Sequence, residues 1–162
     1  MGKIRIGIIG LGNCASGLVQ GVEFYKNADE KAIGLISEKI KGYGIADLEF
    51  VSAFDVGSNK IGKPLSKAIY ESPNMVKWVP QVPDSGAVVS ESPILDGIGI
   101  FVENKVIPIK SPKNIDVLRE NIISEIKSTK TEVLFNYLPV GSQNATEFWA
   151  DISLRTGCGF VN

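Results

Sequence analysis

Gly10, Gly12 and Ala15 fall in a G-x-G-x-x-A spacing directly behind the apolar run at residues 3–9. That spacing has a use where a strand turns into a helix. The first glycine permits a tight turn, and the second lets backbone approach a pyrophosphate. The third small residue lets the helix pack close to a sheet. The helix start adds unpaired N–H groups and a partial positive charge, both suited to phosphate oxygens. A glycine-rich turn alone is weak evidence. Here a β-branched run precedes it, and Ala15, Leu18, Val19 and Val22 share one helix face after it, so the turn reads as a dinucleotide fingerprint.

Asp55 closes the next apolar run, at residues 50–54. An acid at that strand end takes the ribose hydroxyls of NAD and repels the extra phosphate of NADP. It lies 43 residues beyond Gly12, against an ordinary spacing of ~20. The stretch at residues 25–48 supplies the excess as a surface excursion. The competing reading makes Asp55 a solvated turn residue ahead of Val56-Gly57. Two further loops stand at strand ends where ligands of this architecture bind. One is residues 136–142, which could equally be a plain strand-to-helix connection. The other is residues 94–99, a turn whose single charge is Asp96. Cys14 lies at a helix start, where a thiol pKa falls, yet it reads better as a small residue beside the glycine turn. Phe148 and Trp149 read as core rather than cofactor contacts.

The elements that must position these residues alternate. A strand at residues 3–9, a helix, a strand ending at Asp55 and a short helix behind Pro64 come first. Apolar runs at residues 76–82 and 87–89 follow between breakers. Ile115, Leu118, Ile122 and Ile126 mark an amphipathic helix begun near Asn114 or Ser111. A strand at residues 132–135 leads through the 136–142 loop to Ser142, a good N-cap for a helix burying Ala145, Phe148, Trp149 and Ile152. Gly157 is placed to end that helix, and residues 159–161 form a last strand. The pattern predicts an α/β domain over residues 1–162 with a Rossmann-like, doubly wound, mainly parallel sheet.

Composition narrows the field. The formal net charge is −1, with Lys and Arg dispersed, which leaves nothing to hold nucleic acid or an anionic membrane. No apolar stretch reaches the ~20 residues that span a bilayer. There is no His, and Cys14 and Cys158 form neither a disulfide framework nor a ligand cluster, which argues against a metal site or a Ser–His or Cys–His nucleophile. A cytoplasmic protein is expected.

IGIIGLGNCASGLVQGVEFY near the start and FNYLPVGSQNAT near the end resemble the myo-inositol-phosphate synthases, especially the bacterial and archaeal branch. VSAFDV, ILDGIG and the closing GCGFVN match in family order. The resemblance implies an NAD-dependent isomerase. It converts D-glucose 6-phosphate to an inositol phosphate by oxidation, enolisation, aldol cyclisation and reduction. Carried over by position, Gly10, Gly12, Asn13, Cys14 and Ala15 would cradle the pyrophosphate, and Asp55 would hold the adenosine ribose. Tyr137, Leu138, Pro139, Val140, Gly141 and Ser142 would line the cofactor, with Asp96 near its nicotinamide half. Family chains are more than twice as long, and their catalytic lysines lie in the part that has no counterpart here, so no catalytic residue is assigned. The expectation is a portion of an enzyme in a homo- or hetero-oligomer. A second chain carrying the missing half would complete it, and glucose 6-phosphate would bind only the completed enzyme. The rival expectation is a stand-alone NAD-binding or sensing module.

Overall fold

The computed structural model describes residues 2–26, 33–96, 98, 103–109 and 114–162. β1 (Ile4–Ile9) leads into α1 (Asn13–Lys26). β2 (Lys39–Ile40) and β3 (Tyr43–Gly44) pair as a small antiparallel hairpin, followed by a 3-10 turn at Ile45–Asp47. β4 (Leu48–Asp55), α2 (Leu65–Ala68), β5 (Val89–Glu91) and α3 (Ile115–Thr129) come next. β6 (Val133–Asn136), α4 (Gln143–Thr156) and β7 (Gly159–Val161) complete the order.

Five strands pair in parallel in the order β5-β4-β1-β6-β7. Chain order reverses at β1, which has β4 on one side and β6 on the other. This is the doubly wound arrangement expected from the alternating elements. Side chains alternate along a strand, so Ile6 and Ile8 face one layer and Ile9 the other. The first layer is α1 and α2, whose Ala15, Val19, Val22 and Leu65 cluster with Ile6, Ile8 and Ala53. The second is α3 and α4, whose Ile122, Ile126, Trp149 and Ile152 close over Ile9, Phe54 and Leu134.

Local signals explain most boundaries. Asn114 caps α3 by accepting the Asp116 N–H at 2.8 Å, while Ser111 lies outside the described residues. Gly157 ends α4 at φ 74°, the left-handed conformation a glycine adopts most easily. β4 begins earlier than the apolar run suggests, because Leu48 already pairs with Ile4. Of the 25–48 excursion, α1 takes residues through Lys26, and the hairpin and 3-10 turn occupy much of the described remainder; residues 27–32 lie outside the described residues.

Residues 76–82 form no strand. The backbone of Val76, Trp78 and Val79 bonds instead to Gln20, a polar side chain buried on α1. Gln20 Nε2 donates to Val76 O at 2.8 Å, and its Oε1 accepts the N–H groups of Trp78 and Val79 at 3.1 and 3.0 Å. Ser16 Oγ donates to Ile69 O at 2.8 Å. Buried backbone groups must find partners, and a helix presenting Ser16 and Gln20 four residues apart supplies them without a sheet.

Phe148 and Trp149 are core, as their helix face implied: Trp149 is fully buried against Phe54, with ring centroids 4.8 Å apart. Trp149→Ala is expected to cost about 3–5 kcal/mol in urea unfolding, the usual loss for a large buried aromatic. A loss below about 1 kcal/mol would mean that the α3–α4 layer does not hold the sheet as described.

Candidate functional site

The loops behind β1, β4, β5 and β6 meet around a cleft of about 540 Å³ at the C-terminal edge of the sheet. That is the crevice at a topological switch point, where open α/β sheets bind ligands. It gathers Gly10, Gly12, Asn13 and Cys14 from the first loop, Asp55 from the end of β4, Asp96 from the loop behind β5, and Tyr137 to Val140 from the loop behind β6. The structure therefore brings together residues that lie far apart in sequence.

The glycine turn is shaped by its neighbours. Gly10 donates to Phe54 O at 2.8 Å, and Tyr137 donates to Ile9 O at 2.8 Å, so the end of β1 is flanked by main chain on both sides. Gly10 has φ 80°, and a Cβ there would stand 3.1 Å from Tyr137 O. Both facts require glycine. At Gly12 a Cβ would meet no atom within 4 Å but would stand in the cleft that Gly12 lines. Ala15 is fully buried between α1 and the sheet, as the third position of the spacing demands.

The N–H of Ser16 bonds to Gly12 O at 3.0 Å. The N–H groups ahead of it in the first turn have no partner within the helix. No acid occupies that turn, so its positive end is not neutralised from within. A phosphate-bearing cofactor thus fits the donor set and the space at Gly12.

Asp55 is buried, not a solvated turn residue. Its Oδ2 accepts the Leu11 N–H at 2.7 Å, and its Oδ1 accepts the Gly57 N–H at 2.7 Å. Lys60, which no motif in the sequence singles out, stands 4.0 Å from the same carboxylate. Lys60 Nζ donates to Leu11 O at 2.6 Å, and Asn74 Nδ2 donates to that oxygen at 2.8 Å. The Asn13 side chain is also committed, its Oδ1 accepting the N–H groups of Met75 and Val76 at 2.7 and 3.3 Å. Cys14 is an exposed free thiol in the cleft. Burial raises the Tyr137 hydroxyl pKa, and the nearby Cys14 raises it further.

One expectation is corrected. Ser142 stands at the N-cap position of α4, but its hydroxyl donates to Pro139 O at 2.6 Å and makes no cap bond. Asp96 caps the helix instead, its two oxygens accepting the N–H groups of Asn144 and Ala145 at 2.7 and 3.0 Å. A carboxylate brought from a distant loop is a stronger acceptor than the local hydroxyl and complements the helix dipole. Gly141 and Ser142 lie outside the lining of the cleft, whereas Leu138, Pro139 and Val140 form part of it. Among the described residues there is no cluster of three metal-ligating side chains, and no helix is long and apolar enough to cross a membrane.

The fold and cleft define a doubly wound α/β protein with a glycine turn at its switch point. No family model matches the chain. It is 41% identical over 163 residues to the inositol-3-phosphate synthase of Mycolicibacterium smegmatis, covering 99% of this chain and 43% of that protein. The inositol-3-phosphate synthase of Corynebacterium glutamicum is likewise 41% identical, over 98% of this chain and 43% of its own length. Among solved structures, Ari2 superposes with a TM-score of 0.81 at 30% identity, over 99% of this chain and 45% of that one. A myo-inositol-1-phosphate synthase-related protein from Thermotoga maritima shares the fold at a TM-score of 0.64 and 22% identity, over 99% of this chain and 47% of its own. The chain is homologous to the inositol-3-phosphate synthases across nearly its whole length, and it spans less than half of theirs.

Because Asp96 caps α4, Asp96→Ala is expected to lower unfolding stability by about 0.5–2 kcal/mol, the range for a lost N-cap. Ser142→Ala should leave the amides of Asn144 and Ala145 unshifted in NMR spectra. Loss of their protection in that variant would return the cap to Ser142.

Proposed function

We propose that this chain is the NAD-holding portion of an isomerase of the inositol-phosphate synthase type. The observation that carries the reading is the open first turn of α1 facing a cleft that also holds Asp55. Gly12 and the free N–H groups of the turn would receive the pyrophosphate, and Asp55 would meet the adenosine ribose. Each Asp55 oxygen accepts one backbone N–H. A carboxylate oxygen has two lone pairs, so each keeps one for a ribose hydroxyl. Tyr137 to Val140 and the Asp96 loop would bound the remaining length of the cofactor.

When bound, NAD supplies reversible hydride transfer, which the proposed isomerisation of glucose 6-phosphate needs without net redox change. The chain's own part in that chemistry is binding and orientation. Cyclising a sugar needs acids and bases placed around it. Among the described residues the carboxylates that line the cleft are engaged with backbone, Asp55 at Leu11 and Gly57 and Asp96 at the start of α4. The Tyr137 hydroxyl, its pKa raised by burial, keeps its proton near neutral pH and cannot serve as a base there. The reading therefore includes further polypeptide, in a longer chain or a second one, that brings such groups to the cleft and takes part in an oligomer. It also assigns the protein to the cytoplasm, where NAD and sugar phosphates are both substrates of metabolism.

Calorimetric titration should show NAD+ binding, with NADP+ weaker by about tenfold or more because Asp55 repels a 2′-phosphate. Gly12→Val should abolish the heat of binding while leaving the melting temperature within a few degrees, since its side chain would fill the cleft. Equal binding of NAD+ by a folded Gly12→Val variant would remove the glycine turn from the site.

A further inference from the structure

Lys60 follows Asp55 in the turn behind β4, where its N–H bonds to Gly57 O at 3.0 Å. Its side chain runs inward and leaves the residue 4% exposed. The ammonium donates to Leu11 O at 2.6 Å and to Asn74 Oδ1 at 3.3 Å, and lies 4.0 Å from Asp55 Oδ2. Burial lowers its pKa, an effect partly offset by Asp55 and then by Glu71. A buried ion pair is poor evidence of stability, because an apolar residue of similar volume avoids the desolvation cost. What the ammonium supplies here is direction.

Leu11 is the middle residue of the glycine turn, and its carbonyl is drawn inward by Lys60 and Asn74. The Leu11–Gly12 bond is trans, since the cis bond among the described residues is Ser72–Pro73. In a planar trans peptide the C=O and N–H point in opposite directions. Holding Leu11 O toward the interior therefore turns the Gly12 N–H outward. Gly12 is exposed and lines the cleft, with no Cβ to shield that donor.

We propose that Lys60 is a positioning residue for ligand phosphate: by fixing the Leu11 carbonyl inward, it aims the Gly12 N–H into the cleft. Asp55 completes the device. It accepts the Leu11 N–H, so the residue is held at donor and acceptor by two oppositely charged side chains that hold each other. The inference rests on the nucleotide reading of the cleft for its ligand, but the hold on the turn is measurable without one.

The test compares the full chain with Lys60→Met and Lys60→Arg. NAD+, ADP and adenosine are titrated calorimetrically, and amide exchange at Leu11 is followed by NMR. Lys60→Met should weaken NAD+ and ADP by about tenfold or more, the loss of one charge-assisted hydrogen bond's orientation. Adenosine, which carries no phosphate, should weaken clearly less than NAD+ and ADP, because it meets Asp55, the partner of Lys60, but places nothing at the Gly12 N–H. Lys60→Arg should recover most of the loss. Exchange at Leu11 should quicken in Lys60→Met.

A general loss of structure would weaken all three ligands together and overturn the proposal. So would unchanged NAD+ and ADP affinity in a folded Lys60→Met chain. If the wild-type chain binds none of the three, the nucleotide reading of the cleft falls. Leu11 exchange then decides the inference alone: quickened in Lys60→Met it stands, unchanged it falls. Should Lys60→Met not fold, Lys60→Gln takes its place, with the same losses expected and the same results overturning the proposal.

Discussion

The cleft depends on how the main chain of Leu11 is held. Its N–H is fixed by Asp55 and its carbonyl by Lys60 and Asn74, all three buried. Asn74 also donates to Ile69 O, whose other partner is Ser16 on α1. Asn13 and Gln20 fasten residues 75–79 to the same helix. One polar network thus joins the end of β1, the end of β4, the start of α1 and the irregular segment behind α2. Buried polar groups cost free energy unless satisfied, so this network tolerates few arrangements. The turn is held because each of its supports is buried against it and bonded to its main chain.

That network also separates what the sequence showed from what it hid. The strand, glycine turn and helix were legible because their signals are local: β-branched residues, small residues at fixed spacing, and an apolar stripe. The doubly wound order followed from alternation, and Gly157 from a short-range capping rule, which also offered Asn114 beside Ser111 as the start of α3. Lys60 and Asn74 were not legible. A lysine in a turn behind an acid reads as a solvated charge, and only its contact with Leu11, 49 residues away, shows otherwise. Gln20 was hidden for a related reason, since a single glutamine on a helix does not announce that it faces inward. The apolar run at residues 76–82 gave no sign of its structure, because the partner of its backbone at Val76, Trp78 and Val79 is the Gln20 side chain, more than 50 residues back in the sequence.

The α4 cap shows the same limit from the other direction. Ser142 satisfies the local rule for an N-cap and does stand at that position. A carboxylate 48 residues from Asn144 nevertheless takes the bonds. Local rules rank only the candidates within a few residues. The fold brings Asp96 to the helix end, and charge complementarity then decides between the two acceptors. The serine hydroxyl, displaced from that duty, closes the turn onto Pro139.

The same cap gives the cleft a polarity. Two helices, α1 and α4, present their N-terminal ends there, and either end alone would attract an anion. At α4 the carboxylate of Asp96 already spans two of the free N–H groups and cancels part of the dipole's charge. At α1 the corresponding acid, Asp55, is turned onto Leu11 and Gly57, and the first helical turn carries no acid of its own. Asp55 is moreover balanced by Lys60, so its charge opposes an incoming anion less than an isolated carboxylate would. An anionic ligand entering this cleft therefore meets one helix end already satisfied and one prepared. The protein's internal carboxylates, rather than the helices themselves, set which end of the cleft is positive.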